Sequence, residues 1–270
     1  MKIATQDKPF FPEQVEAKLA AVQAMGFDAY EIDGKLLIDE FEAVKRAIRT
    51  LGIEVPTACG GYRGWIGDFN AERREHSITD IGEILKHLAE ISGKGIVVPA
   101  AWGMFSRRLP PHTPPRSDEE TRAVLLDSLG RINRVAEQTG TYLYLEPLNR
   151  YEDYMINSLS DAVSLIEEGG FSRVQVIADF FHMNIEERNI AASLKAARKH
   201  LGHVHLADSH RFQPGDGHMD FVSGFRALKE IGYDDYLAFE CRVQGEDEAS
   251  IYRASVNYIR ACLRQAEQSN

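Results

Sequence analysis

The sequence predicts an α/β fold, a single-domain (β/α)₈ barrel over residues 1–270, on three observations. A unit of amphipathic stretch, glycine and short apolar run ending in a polar or reactive residue recurs along the chain. Eight such apolar runs can be counted, and 270 residues match the roughly 250 typical of such barrels. Strands alternating with helices imply a parallel sheet, and their continuous apolar character implies burial on both faces. Eight units with no second composition regime favour a closed barrel over an open, doubly wound sheet.

The elements follow in order. MKIAT reads as the first strand. Pro12 sits where a first-turn proline is tolerated, and Val15, Leu19 and Val22 fall on one helical face before Gly26 ends it. The strand GFDAYEI then carries Glu31 near its end. Phe41, Val44, Ile48 and Leu51 have helical spacing, Gly52 stops that helix, and IEVPTA leads into Gly60 and Gly61. Ile81, Leu85 and Leu88 precede Gly93 and the buried strand GIVVPAAW, which ends at Trp102. Leu125, Leu129, Ile132 and Ala136 lead to Gly140 and TYLYLE. VQVIAD, HVHLAD and YLAFEC complete the eight, and a final helix carries Ile251, Ile259 and Leu263. The stretch Phe105 to Ser117 contains Pro110, Pro111, Pro114 and Pro115, so it reads as a loop after the fourth strand, either a connector or a rim over the barrel mouth.

Composition narrows the function. A net charge of −10 makes nucleic acid a poor partner, and Arg107, Arg108 and Arg116 are too few to reverse that. Cys59, Cys241 and Cys262 have no paired spacing, which suits a reduced compartment and gives no zinc signature. Neither a leader peptide nor an apolar run near 18 residues is evident, so the expectation is a soluble, cytoplasmic protein with no membrane partner.

Barrel active sites lie at the C-terminal ends of strands. Strands five to eight end at Glu146, Asp179, His205 and Glu240. Each alone could be a salt-bridged strand end or a core histidine. Four together at one barrel mouth would crowd like charge at large cost without a cation, so they read as ligands of one divalent metal. Three carboxylates and an imidazole suit Mn²⁺, Mg²⁺ or Co²⁺ better than a thiolate-rich zinc site would. Glu152, His182 and Arg211 lie close by in sequence and could orient substrate hydroxyls, Arg211 otherwise pairing with Asp208 or Asp216. Glu31 and Trp102, at earlier strand ends, are expected to line the pocket, Glu31 as a hydrogen-bond acceptor.

The segments LEPLNRYE, ADFFHMNIEE, GHVHLADSHRFQPGDGHMDF and GYDDYLAFE, about a third of the chain in order and spacing, resemble the xylose isomerase-like TIM barrel superfamily. Within it they are most similar to the D-tagatose and D-psicose 3-epimerases, with hydroxypyruvate isomerase sharing much of the pattern. The resemblance implies a metal on Glu146, Asp179, His205 and Glu240, commonly Mn²⁺ or Co²⁺, with Zn²⁺ also conceivable. It implies that Glu146 and Glu240 double as the acid/base pair, and that Glu152, His182 and Arg211 contact a small sugar. A homodimer or homotetramer is expected on the same ground.

These residues together predict a metal-dependent isomerase, foremost a ketose 3-epimerase. A cation bridging carbonyl and hydroxyl oxygens stabilises the cis-enediolate left by proton abstraction, and two glutamates on opposite faces can remove and return the proton. Aldose–ketose isomerisation and inosose-type dehydration share that intermediate and stand as alternatives. An endonuclease at abasic DNA sites and a non-catalytic sugar-binding barrel are weaker ones.

Overall fold

The computed structural model of the protein describes residues 1–103 and 113–268. β1 (Lys2–Thr5) is followed by α1 (Val15–Ala24), which turns Val15, Leu19 and Val22 into the core as its spacing predicts. β2 (Ala29–Tyr30), α2 (Gly34–Asp39), α3 (Phe41–Leu51), β3 (Thr57–Cys59), α4 (Ala71–Glu90), β4 (Gly95–Pro99) and α5 (Asp118–Thr139) complete the first half. The second runs β5 (Tyr142–Glu146), α6 (Leu159–Gly169), β6 (Val174–Asp179), α7 (Phe180–Glu186), α8 (Ile190–Ala197), β7 (Leu201–Leu206), α9 (Phe221–Glu230), β8 (Tyr236–Phe239) and α10 (Glu248–Gln268). Among the described residues no helix is long and apolar enough to cross a membrane.

The eight strands form one parallel sheet in the order β2-β1-β8-β7-β6-β5-β4-β3. The ring closes between β2 and β3 through single bridges, with Ile32 N donating to Thr57 O at 3.0 Å and Cys59 N to Ile32 O at 2.9 Å. This is the (β/α)₈ barrel the sequence predicts. The second strand is much shorter than GFDAYEI suggests. Its partner segment contains Pro56, which has no N–H to give to a ladder, so the closure is made by isolated bonds rather than a continuous pairing. The short helices α2 and α8 were not foreseen as separate elements.

Apolar packing among the described residues forms one large cluster and two small ones. α-Helical faces bury Leu19, Val44, Ile84, Leu129 and Phe225 against the outside of the barrel. Inside, Val97, Tyr144 and Ile177 pack as one layer. A Cβ on Gly202 would meet the Tyr144 ring at 2.6 Å, so the absence of a side chain there is what admits the tyrosine. Residues 105–112 of the proline-rich stretch lie outside the described residues. Ser117 at its end caps α5 in a capping box with Glu120.

The loop after β5 is ordered around Asp153, buried, with one carboxylate oxygen accepting from Met155 N at 3.0 Å and the other without a partner among the described residues. Burial raises its pKa to about 7, against the opposing pull of backbone N–H groups from Met155, Tyr154 and Ile156. A folded pKa above the unfolded value means that this carboxyl favours folding at acid pH. That contribution is lost as pH rises from about 3.8 to about 7, beyond which the folded chain carries a buried charge. Asp153→Asn should therefore raise stability by on the order of 1–4 kcal/mol at pH 8 and by progressively less toward pH 4. Denaturant unfolding at both pH values measures this, and an equal effect at both would contradict it.

Candidate metal centre and substrate pocket

Four strands bring Glu146, Asp179, His205 and Glu240 to one point at the C-terminal mouth, with one ligand atom from each lying within 4.8 Å of all the others. Asp179 closes β6 and caps α7, its Oδ1 accepting from Phe181 N at 2.7 Å and His182 N at 3.1 Å. That leaves Oδ2 to face the cluster. His205 Nδ1 stands 3.1 Å from Glu240 Oε2, 3.8 Å from Glu146 Oε1 and 3.9 Å from Asp179 Oδ2.

The other face of His205 meets Glu31. This residue, expected in the pocket, is buried beneath it and makes no wall of it. Its carboxylate accepts from His205 Nε2 at 2.7 Å, His203 Nε2 at 2.8 Å, Thr57 Oγ1 at 2.7 Å and Gln6 Nε2 at 2.9 Å. Four donors fill the roughly four lone-pair sites of a carboxylate. Although burial alone would raise its pKa, the imidazoles of His205 and His203 hold it well below the usual carboxylate range. An ionised Glu31 only accepts, so His205 carries a proton on Nε2 and its Nδ1 is the nitrogen turned toward the three carboxylates.

Glu31, His203 and His205 also group closely enough to suggest a second metal position. With every Glu31 lone pair already engaged, hydrogen bonding accounts for that trio without an ion.

The main cluster differs. Glu146 Oε1 is buried and has no hydrogen-bond partner among the described residues. Burial, then the neighbouring Glu240 charge, raises the pKa of Glu146. For Glu240, burial is outweighed by Arg211 and His205, which hold its carboxyl well below the ordinary range. Crowded anions, an orphaned carboxylate oxygen and an oriented imidazole nitrogen fit a hard divalent cation. Cys59 does not join as a ligand: burial pushes its thiol pKa well up, and Sγ lies 3.8 Å from Glu240 Oε1 as a weak donor.

Arg211 is neither paired with Asp208 nor with Asp216. Its guanidinium donates to Asp179 Oδ2 at 2.7 Å and to Glu240 Oε2, over the ring of Phe181. Its backbone adopts φ of 69°, a left-handed conformation that costs a non-glycine residue about 1–2 kcal/mol. Asp208 instead organises its own loop, accepting from Ser209, Gly215 and Met219 N–H groups.

His182 Nδ1 accepts from both Asn149 N, at 3.1 Å, and Asn149 Nδ2, at 2.9 Å, so the ring proton is on Nε2. That nitrogen is buried, without a hydrogen-bond partner among the described residues, and 4.0 Å from Glu146 Oε1. Asn149 Nδ2 also reaches Glu152 Oε1 at 2.9 Å, and Glu152 Oε2 holds the indole N–H of Trp102 at 2.8 Å. Glu152, His182, Arg211 and Trp102 all line one pocket of about 830 Å³, with Glu146 and Glu240 at its floor. Sequence reasoning missed Asn149, Gln6 and His203. Asn149 stood inside LEPLNRYE, and His203 shares a strand face with His205 two residues on.

The sequence pattern of the family described as xylose isomerase-like TIM barrel matches residues 19–262. The chain is 53% identical over 262 residues to the 3-dehydro-D-guloside 4-epimerase of Escherichia coli strain K12, covering 97% of this chain and all of that protein. It superposes with a TM-score of 0.96 on the apo crystal structure of 3-keto-D-glucoside 4-epimerase from E. coli, also 53% identical over 97% and 100% of the two chains. The D-psicose 3-epimerase of Enterocloster bolteae is 37% identical over 119 residues, 44% of this chain and 40% of that one.

Glu31→Gln should weaken Mn²⁺ binding about 10- to 100-fold, because the imidazole loses the acceptor that orients it. Competition with a chromophoric chelator reports the affinity. An unchanged Kd would show that His205 needs no such support.

Proposed function

The chain belongs to the xylose isomerase-like TIM barrel family and is an isomerase or epimerase, and from that premise we propose that it inverts carbon 4 of a 3-keto glycoside. The observation that carries this reading is the full-length likeness to the E. coli 4-epimerase, together with a pocket placing Glu146 and Glu240 beside His205. The names 3-dehydro-D-guloside and 3-keto-D-glucoside describe the two epimers related by inversion at carbon 4. The α-hydroxy-ketone unit of a ketose, expected from the sequence with reaction at carbon 3, here lies one carbon further along a ring. A pocket of about 830 Å³ lies toward the upper end of the ~300–1,000 Å³ common for small-molecule sites and has room for a ring sugar with an aglycone.

Glu146, Asp179, His205 and Glu240 would hold one divalent ion, with Mn²⁺ the foremost candidate for a donor set of three oxygens and one nitrogen. Such an ion would supply Lewis acidity that lowers the barrier to removing the proton from carbon 4, the hydroxyl-bearing carbon next to the ketone. One of Glu146 and Glu240 takes the carbon-4 proton, and the other returns a proton to the opposite face of the planar enediolate. Arg211 sits against Glu240 and Asp179 and fixes their orientation. His182 Nε2–H donates to a substrate oxygen, and Glu152, tethered by Asn149 and Trp102, accepts from a substrate hydroxyl.

Mn²⁺-loaded enzyme incubated in D₂O with a methyl 3-dehydroglycoside should put deuterium on carbon 4 and form the epimer. Glu146→Gln and Glu240→Gln should each lower kcat by about 10²–10⁴-fold. NMR follows both exchange and epimer. Exchange at carbon 3 of a free ketose, with none on the glycoside, would replace this reading with ketose 3-epimerisation. Loss of water from the substrate would make the enzyme a dehydratase.

A further inference from the structure

Lys8 follows β1 and forms part of the pocket wall near Glu240 and Cys241. It is only 7% exposed, yet no carboxylate lies within ion-pair distance of its ammonium among the described residues. Its neighbour Asp7 is no counterion for it, being taken by Lys18 at 2.5 Å. Lys8 Nζ donates to the backbone oxygen of Asp7 at 3.0 Å and stands 5.5 Å from the ring centroid of Tyr252 on α10. One acceptor and one ring face serve a group with three N–H donors.

Burying an ammonium with donors to spare is costly unless something supplies oxygen atoms. Burial lowers the pKa of Lys8, while Cys241, Glu240, Asp7 and Glu31 act against that shift. The same carboxylates serve other partners: Glu31 holds its four donors, Glu240 holds Arg211 and His205, and Asp7 holds Lys18. Among the described residues the ammonium has no acceptor beyond the Asp7 carbonyl, and Lys8 lines the same pocket as Glu146, Glu152 and Glu240.

We infer that Lys8 is a substrate-binding, specificity-determining residue that donates hydrogen bonds to sugar oxygens outside the reacting α-hydroxy-ketone unit. The geometry also says why a lysine suits the position. Its ammonium stands over the Tyr252 ring at the edge of the pocket that Lys8 lines, and a point charge with rotatable donors tolerates variation in the glycoside. The inference rests on the glycoside reading above.

The test uses Mn²⁺-loaded wild type, Lys8→Met and Lys8→Gln with the methyl 3-dehydroglycoside, and singly deoxygenated analogues of it. Both variants should bind one equivalent of Mn²⁺ with wild-type affinity. In both, kcat/KM should fall at least tenfold, with most of the change in KM. One deoxy analogue should lose that sensitivity, because the oxygen that Lys8 meets is already missing. A kcat/KM within twofold of wild type in both variants overturns the role. So does a loss confined to kcat, or one matched by lost Mn²⁺ affinity, since either would place Lys8 in support of the metal centre. If wild type turns over a free ketose and not the glycoside, the glycoside reading fails by itself. The same variants judged on that ketose then decide Lys8 by the same criteria. Wild-type turnover of neither sugar overturns both.

Discussion

Three carboxylates gathered round one imidazole nitrogen form the constraint on which the polar architecture of this barrel depends. Glu146, Asp179 and Glu240 would repel one another in a low-dielectric mouth, and the surrounding residues offset that repulsion in different ways. Arg211 spreads a delocalised positive charge across Asp179 and Glu240. The N-terminus of α7 gives Asp179 two backbone N–H groups, a partial positive charge fixed by the chain itself. His205 is pulled from both sides. Burial disfavours its charge, yet Glu31 and Glu240 together raise its pKa well above the usual histidine value, which expresses the site's affinity for positive charge at Nδ1. A divalent ion answers the same demand with two charges in place of one.

The candidate site was legible because barrel topology turns strand ends into neighbours. Glu146, Asp179, His205 and Glu240 are separated by 33, 26 and 35 positions, and periodicity alone reduces that to one ring of adjacent strands. Glu31 shows where this reasoning stops. It too lies near a strand end, but strands in a barrel are staggered by its shear, so an end on one strand lies at a different height from an end on the next. Glu31 follows the two-residue β2, and its N–H bonds to Thr5 O, low enough for its carboxylate to sit under His205 instead of beside it. Height within the barrel depends on register, and register between β2 and β3 is set by isolated bridges around Pro56 that no hydrophobic pattern encodes.

The fold was legible for a related reason. Parallel strands covered on both faces read as unbroken apolar runs, and GIVVP, YLYLE and VQVIAD stand out between amphipathic helices. The short helices were less so, for opposite causes. α7 is nucleated by the Asp179 cap rather than by periodicity, and its Phe180 is buried against Phe221 and Phe225 of α9 in a contact distant in sequence. α2 is only six residues, too short for a helical stripe to repeat.

Two buried carboxylates near the mouth, Glu31 and Asp208, hold structure through filled hydrogen-bond sites. Glu31 accepts four side-chain donors, and Asp208 satisfies the backbone of its loop through Ser209, Gly215 and Met219. Both are complete within the chain, and both act through something else: Glu31 through His205, Asp208 through the loop that presents Arg211. That loop holds Arg211 in its left-handed backbone by two bonds, Arg211 N to Asp208 O and Arg242 N to Arg211 O, each 2.9 Å or shorter. The second ties the loop after β7, which presents the guanidinium, to the chain after β8, which carries Glu240. Among the described residues, Glu146 is left with an unpartnered oxygen, and His182 with an unpartnered N–H 4.0 Å from it. In a closed, well-packed barrel such unfilled positions are costly to keep. Their convergence on one pocket is the physical mark of a site completed by its ligands.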